Sequence, residues 1–265
     1  MPVRLLHVSD LHVGAHEDEA VARALTELVE RAAPELVVAT GDLTHDGRRE
    51  QHERAARFLR SLGPPVLAVP GNHDIPGIVP ARMFRPWREF ERLWGTTEPV
   101  YASAAVVAVG LNSVRPWRYQ SGAVLDMQLD RAQKHLEAAP AGAVRVVALH
   151  HHMIGAPWRS WKQPVARRNH VLARLVDSGA DLILGGHIHQ AAVSERHEFE
   201  VPTAEPPGVV VVAIAPGLGR PRPERRGEAR GFHVYTIDER TLEVETHVWQ
   251  PDGFRPIAVR RFPRA

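Results

Sequence analysis

Five short clusters of aspartate, asparagine and histidine constrain this chain most, because each directly follows an apolar run. The clusters are Asp10-Leu11-His12, Gly41-Asp42, Gly71-Asn72-His73-Asp74, His150-His151-His152 and Gly186-His187-Ile188-His189. The carboxyl ends of parallel strands lie along one edge of a sheet, so residues distant in sequence meet there. In an extended backbone, residues two apart point to the same side, as Asp10 and His12 would. We therefore expect the clusters to converge in one crevice.

The apolar runs alternate with helical patterns through most of the chain, which is typical of β-α-β units. The predicted strands are Val3–Val8, Leu36–Ala39, Val66–Val69, Val144–Leu149 and Leu182–Leu184. The predicted helices are Asp18–Ala33, one capped by Asp126, Pro164–Ser178, and a short helix in an excursion over Ile75–Pro99. From Gly208 onward the pattern predicts a second, more antiparallel sheet with strands Val209–Ile214, Gly231–Ile237, Leu242–Trp249 and Ile257–Phe262. We expect a single domain over residues 1–265.

The composition, with 44% hydrophobic and 24% charged residues, is that of an ordinary globular protein. No apolar run is long enough to span a membrane and no signal-peptide pattern is present, so we expect a cytoplasmic protein. The absence of cysteine excludes disulfides, thiolate zinc sites and a cysteine nucleophile. A net charge of +2 provides no strong field for capturing a polyanion, so nucleic acid is not an expected partner.

The clusters together provide carboxylate, amide and imidazole ligands, which suit divalent Mn, Fe, Zn, Co or Ni. Two such ions about 3.5–4 Å apart can clamp both the attacking and the leaving oxygen of a phosphoryl transfer. One carboxylate should bridge them, and Asp42 is the natural candidate because no histidine is paired with it. A single Asp-x-His or Gly-Asp is a weak signal, and a lone strand-end histidine is more often structural. The metal hypothesis therefore depends on all five clusters occurring in this order.

In this order the clusters resemble the five signature blocks of the calcineurin-like metallophosphoesterase family, and they cover residues 10 to 189. The resemblance implies an α/β fold, namely a four-layer α/β/β/α sandwich with two packed mixed β-sheets. It also implies two divalent metal ions, with Mn, Fe and Zn as candidates. Within the family, the chain looks most like the compact class III cyclic nucleotide phosphodiesterases and glycerophosphodiesterases.

Carried over position by position, the resemblance implies two overlapping sets of metal ligands. The first set is Asp10, His12, Asp42 and His189, and the second is Asp42, Asn72, His151 and His187. The family usually has a proline two residues after its fourth-block ligand, where this chain has Met153. His150 is therefore the alternative to His151.

The resemblance also implies catalytic roles for the third block. His73 would donate a proton to the leaving oxygen, Asp74 would orient its ring, and a metal-bridging hydroxide would be the nucleophile. Purple acid phosphatases have a tyrosine three residues after the bridging aspartate. This chain has His45 there, which disfavours that subtype.

A small phosphodiester, either a cyclic nucleotide or a glycerophosphodiester, is the expected substrate. Ser121-Gly122 stands where those enzymes often have His-Gly, which weakens the cyclic nucleotide alternative. The alternatives are a nuclease, a phospholipid-directed hydrolase or a phosphomonoesterase on the same metal centre. A metal-free scaffold ranks last, because no required ligand type is missing.

Two features leave structural and functional interpretations open. The loop Met153–His170 either lines the cleft with aromatic and basic side chains or caps the core; it contains Trp158, Arg159, Trp161, Lys162, Arg167 and Arg168. The apolar residues of Ile75–Pro99 could form a lid or a dimer contact, the latter giving a homo-oligomer. Seven other histidines lack a partner motif and are expected to be surface or structural residues: His16, His45, His52, His170, His197, His233 and His247.

Overall fold

The computed structural model describes residues 2–16, 18–118, 120–158, 161–195, 209–220, 222–223 and 225–264. The strands are β1 (Val3–Val8), β2 (Leu36–Ala39), β3 (Val66–Ala68), β4 (Val100–Ala102), β5 (Val106–Leu111), β6 (Val144–Leu149), β7 (Leu182–Gly185), β8 (Ala192–Glu195), β9 (Val211–Ile214), β10 (Gly231–Ile237), β11 (Thr241–Gln250) and β12 (Gly253–Pro263). The helices are α1 (Glu19–Ala32), α2 (Arg49–Ser61), α3 (Ala81–Phe84), α4 (Arg88–Trp94), α5 (Asp126–Glu137) and α6 (Arg168–Asp177). Arg159, His197 and Gly208 lie outside the described residues.

Within the described residues, the strands form two mixed sheets of six strands each. The first sheet has the order β12-β11-β10-β1-β2-β3, and the second has the order β4-β5-β6-β7-β9-β8. Strands β1, β2 and β3 are parallel to one another, as are β5, β6, β7 and β9. In the second sheet the parallel strands form the centre, whereas in the first they form one half of the sheet with β3 at its edge. In both sheets the carboxyl ends of the parallel strands can form a site.

Three clusters of buried side chains show that the sheets pack face to face with helices outside. Leu5 and Leu36 of the first sheet meet Val146 and Leu182 of the second in the central cluster. On the outer face of the first sheet, α1 and α2 bury residues that include Leu25 and Leu59. On the outer face of the second sheet, α5 and α6 bury Leu129, Leu136, Leu172 and Leu175. The expected four-layer α/β/β/α sandwich is therefore confirmed.

The sequence pattern predicted that the late strands form a second, more antiparallel sheet. The structure contradicts this prediction. Strands β10, β11 and β12 extend the first sheet because β10 pairs antiparallel with β1. Strand β9 instead pairs in parallel with β7 in the second sheet. Such pairings join residues more than two hundred positions apart, as with Val3 and Ile237, and local patterns carry no information about them.

Several elements differ from the predicted ones. Asp126 does not cap α5 but is its first residue, and its carboxylate contacts His170 at 2.7 Å, at the start of α6. The excursion over residues 75–99 contains two helices rather than one. Four elements were not predicted: β4, β5, β8 and α2.

The excursion also exposes apolar side chains, among them Ile78 and Phe84. A role as a lid and a role as a dimer contact both remain predictions. Within the described ranges, no helix combines the length and apolar character needed to cross a membrane.

Candidate metal centre

The backbone at the strand ends adopts an unusual conformation at five of the predicted ligands. The described chain has seven non-glycine residues with positive φ, and five of them are Asp10, His12, Asp42, His187 and His189. This left-handed region is sparsely populated by non-glycine residues, and strain of this kind clusters at functional sites. The backbone at these strand ends therefore adopts a less stable conformation, and this conformation sets the direction of the predicted ligand side chains.

A first group of ligand atoms comes from the β1 and β7 ends. The Nε2 atom of His189 lies 3.1 Å from Oδ1 of Asp10 and 3.2 Å from Nε2 of His12. These three side chains are buried, and their ligand atoms lie within 4.8 Å of one another. The geometry brings three of the four predicted first-set ligands together.

A second group comes from the β2, β3, β6 and β7 ends. The Nε2 atom of His150 lies 3.4 Å from Oδ1 of Asp42 and 3.0 Å from Nδ1 of His187. It also lies 3.1 Å from Oδ1 of Asn72. Carboxylate, amide oxygen and two imidazoles thus surround one small volume.

Asp42 stands between the two groups. Its Oδ1 atom faces His150, while its Oδ2 atom lies 3.8 Å from Nε2 of His12 in the first group. The Oδ2 atom is buried and accepts no hydrogen bond from any described residue. A buried carboxylate oxygen without a partner is costly, and a cation is the kind of ligand that would satisfy it. The donor set therefore fits a pair of divalent ions.

Hydrogen bonds from outside the two groups orient the histidine rings. Nδ1 of His150 lies 2.8 Å from the Thr40 carbonyl, and Nε2 of His187 lies 3.2 Å from the Gln120 carbonyl. A carbonyl only accepts, so each of these ring nitrogens carries the hydrogen. The opposite nitrogen then presents its lone pair to the site, which is how metal-binding histidines are usually held.

Burial and neighbouring charges shift the pKa values of the buried side chains in the site. Burial acts to lower the pKa of His150, but Asp42 and Asp10 outweigh it and raise that pKa to about 9. Burial lowers the pKa of His12 to about 3 despite the nearby carboxylates. For Asp10, burial alone would raise the pKa, but His189 more than offsets it and the pKa falls. The carboxylates therefore favour the charged form of His150, and a cation that binds this ring must displace its second proton.

In the fourth block the structure brings His150 rather than His151 to the other predicted ligands. His150 joins the second group, whereas Nδ1 of His151 lies 2.9 Å from the Ser113 hydroxyl, outside both groups. Alternation along β6 explains this: Val146 and Ala148 face the other sheet, while Val147 and Leu149 face the helices. His150 continues the inward row.

Asp74 was predicted to orient the ring of His73, but the hydrogen bonds of its carboxylate lie elsewhere. Its carboxylate accepts backbone N–H bonds from Leu43 at 3.1 Å, Thr44 at 2.8 Å and Gly71 at 2.8 Å, and so ties two strand-end loops together. The ring of His73 is held instead by the His45 carbonyl, 2.7 Å from Nδ1.

Two residues near the site were not assigned to it from the sequence. His45 was expected to be structural, yet its ring lies 5.9 Å from that of His12 and 5.8 Å from that of His73. Lys162, in the loop after β6, donates a hydrogen bond to the His187 carbonyl, and burial lowers its pKa. The available signal was its position in the loop after the fourth block, for which the sequence left a cleft-lining role open. In the same loop, Trp158 packs against the guanidinium of Arg226 at 4.6 Å rather than on the metal ligands.

Residues 3–191 match the family described as calcineurin-like phosphoesterase. The chain belongs to this family. As a calcineurin-like phosphoesterase it is a metal-dependent phosphoric ester hydrolase, which confirms the predicted family and enzyme class.

Individual calcineurin-like phosphoesterases show how far the likeness extends. A 3',5'-cyclic adenosine monophosphate phosphodiesterase CpdA from Haemophilus influenzae is 27% identical over 218 residues, which cover 75% of this chain and 74% of the relative. A glycerophosphodiester phosphodiesterase GpdQ from Enterobacter lignolyticus is 36% identical over 83 residues, covering 26% of this chain and 29% of the relative. A solved dimetal phosphatase from Danio rerio has a TM-score of 0.65 at 13% identity, with 100% of both chains covered. That last likeness shows a shared fold alone.

Proposed function

We propose that this chain is a phosphodiesterase that uses two divalent ions bridged by Asp42. The observation that carries the proposal is that the two oxygens of Asp42 face two different groups of ligands. The first ion would be held by Asp10, His12, Asp42 and His189, and the second by Asp42, Asn72, His150 and His187. This assignment replaces His151 with His150 and otherwise keeps the ligands predicted from the sequence.

A pair of bound divalent ions supplies charge neutralisation for the phosphoryl oxygens and activation of a water molecule for attack. The residue proposed to protonate the leaving group is His73. Its ring lies 4.9 Å from that of His12, at the edge of the first group. Its main-chain N–H bonds Asp42 at 2.8 Å, and its Nδ1 is held by the His45 carbonyl. Only Nε2 is left to donate a proton to the departing oxygen.

A small 3',5'-cyclic nucleotide is the favoured substrate, with a glycerophosphodiester as the second candidate. The first is supported by the relative named for that activity, which aligns with three quarters of this chain. The second rests on a shorter match of 83 residues. The small net charge of +2 argues against a long polyanion such as nucleic acid as the substrate.

The test is a substrate panel with the Mn²⁺-loaded protein, measured as kcat/KM. It should contain 3',5'-cyclic AMP, glycerophosphocholine, a nucleoside 5'-monophosphate and single-stranded DNA. We expect cyclic AMP to be cleaved best and glycerophosphocholine next. A preference for the monophosphate would contradict the diester assignment.

Asp42→Asn is the matching variant, because it removes the bridging charge with little change of shape. Hydrolysis should fall by roughly 100-fold or more, since even residues that only support a metal ligand cost 10–100-fold when changed. Asp252→Asn serves as the control, because that carboxylate is exposed and contacts only Arg255 among the ion pairs found in the described chain. Full activity in Asp42→Asn would rule out the bridged centre.

A further inference from the structure

Two segments that follow the carboxyl ends of β3 and β5 expose large apolar side chains. They are residues 75–88, at the start of the excursion, and residues 113–118, after β5. Their exposed apolar residues are Ile78, Val79, Met83, Phe84 and Trp117, with Phe84 81% exposed, Ile78 78% and Trp117 65%. A patch of large apolar residues on a protein surface usually marks a place of contact with something else. We call the two segments together the exposed apolar surface.

The side chain of Arg82 holds the two segments against each other. It is buried, its Nε atom donates to the Pro116 carbonyl at 2.8 Å, and its Nη1 atom donates to the Pro76 carbonyl at 3.3 Å. The main-chain N–H of Arg82 bonds the Ile78 carbonyl at 3.0 Å. Trp117 directly follows Pro116, so it lies close to the loop that contains Ile78.

The exposed apolar surface adjoins the candidate metal centre. Its first segment begins directly after Asp74, the last residue of the third cluster. In its second segment, the Ser113 hydroxyl lies 2.9 Å from Nδ1 of His151 in the fourth cluster. A partner bound to this surface would therefore lie beside the centre.

The charged residues of this surface are all positive. The two segments contain five arginines, three in the first and two in the second, and no aspartate or glutamate. Arg85, Arg88 and Arg118 are exposed. Glu89, which follows the first segment, lies 3.8 Å from Arg88, so Arg85 and Arg118 provide most of the exposed charge. An anionic partner is therefore favoured.

This combination favours an anionic bilayer over two other partners. A second copy of the chain in a twofold dimer would place the same positive surface against itself, which like charges disfavour. Single-stranded nucleic acid would pair with the arginines, but aliphatic side chains such as Ile78 and Val79 provide no stacking face for its bases. A bilayer uses both features, because arginines bind lipid phosphates and apolar side chains enter the boundary between headgroups and acyl chains.

We propose that the exposed apolar surface docks this protein onto an anionic phospholipid bilayer. Ile78, Phe84 and Trp117 enter the boundary between headgroups and acyl chains, while Arg85 and Arg118 bind the lipid phosphates. None of these five residues belongs to the proposed metal centre. Docking therefore does not depend on the proposed function.

The test is sedimentation of the full chain with vesicles of phosphatidylcholine and phosphatidylglycerol, measured as an apparent Kd. Vesicles of phosphatidylcholine alone should bind at least about tenfold more weakly, because each arginine near an anionic surface adds about fivefold to the affinity. Raising the salt concentration should also weaken binding to the anionic vesicles, since salt screens exposed charges.

The apolar contribution is tested by the double variant Ile78→Ser with Phe84→Ser. It should bind anionic vesicles at least about tenfold more weakly, because two large side chains no longer leave water on docking. The matched control is Ile257→Ser with Val259→Ser, which removes two exposed apolar side chains of β12 and should bind as the wild type does. Circular dichroism checks that each variant is folded.

The charge contribution is tested by Arg85→Gln with Arg118→Gln. This variant should lose affinity for anionic vesicles by about tenfold or more and keep its affinity for phosphatidylcholine vesicles. Arg57→Gln, at an exposed position of α2, is the control and should leave both affinities unchanged.

Several outcomes would overturn the proposal. Equal binding to both kinds of vesicle, or full binding by both double variants, would show that the surface does not recognise an anionic bilayer. A dimer in analytical ultracentrifugation that Ile78→Ser with Phe84→Ser dissociates would assign the surface to a second copy. Tighter binding to single-stranded DNA than to vesicles would assign it to nucleic acid. Vesicle binding by a protein that hydrolyses no diester would instead overturn the proposed function alone.

Discussion

At the scale of single residues, neighbouring histidines at the end of β6 have different surroundings. His150 lies among Asp42, Asn72 and His187, while His151 contacts Ser113. The cause is the alternation of side chains along a strand, which sends adjacent residues to opposite faces. From the sequence the two could not be separated, because the register depends on where the strand ends relative to the sheet beside it.

This difference predicts unequal effects of two matched substitutions. His150→Ala should weaken the binding of the second Mn²⁺ ion by more than tenfold, because it removes a nitrogen that faces Asp42 at 3.4 Å. His151→Ala should weaken it less than threefold, since it removes a ring outside both groups. Isothermal titration of the metal-free proteins measures both effects. The reverse order would restore His151 as the ligand.

At the scale of elements, the strand-to-loop turns bring backbone and ligand side chains into close contact. Gly71, which follows β3, packs so tightly against Asp42 that a Cβ atom there would overlap its backbone nitrogen and its Oδ1 atom. Gly186, after β7, is packed in the same way against Ser9 and Asp10. Glycine at these positions is needed for approach to the neighbouring loop, which extends the sequence-based expectation of tight turns.

Gly71→Ala should therefore displace Asp42 and lower Mn²⁺ affinity by at least about tenfold. Overpacking at a tight contact typically costs about 1–3 kcal/mol, so the free energy of unfolding should also fall. Gly77→Ala is the matched control, because no heavy atom lies within 4 Å of a Cβ placed there. Urea unfolding and metal titration of both variants provide the comparison. Equal stability and equal Mn²⁺ affinity of the two variants would show that the loop around Asp42 can move without weakening metal binding.

At the scale of the whole molecule, the proposed ligands come from both layers of the sandwich. Asp10, Asp42 and Asn72 follow strands of the first sheet, and His150 and His187 follow strands of the second. Ions bound between them would join the two sheets at one end. The centre should thus contribute to stability as well as to catalysis.

Removal of the metal should consequently lower the melting temperature. At a free Mn²⁺ concentration about 100 times Kd, each site adds about 2.7 kcal/mol to the free energy of unfolding. For a protein of this size with both sites filled, we expect a rise of roughly 10 °C over the chelated form. Scanning calorimetry with and without chelator measures the shift, and Asp42→Asn should lose most of it. An unchanged melting temperature would mean that the ions do not join the sheets.

The sequence by itself determined the kinds of ligand, their order and their position at strand ends. These depend on local patterns, because residues such as Asp10, His12, Asp42 and His189 directly follow apolar runs. It also identified the family and the layered fold. Tertiary structure decided which strands share a sheet, that His150 rather than His151 faces Asp42, that Asp74 binds loop N–H groups, and that His45 joins His12 and His73. These outcomes depend on register and on contacts between distant segments, and the free energy of such contacts is set by three-dimensional packing rather than by any local pattern.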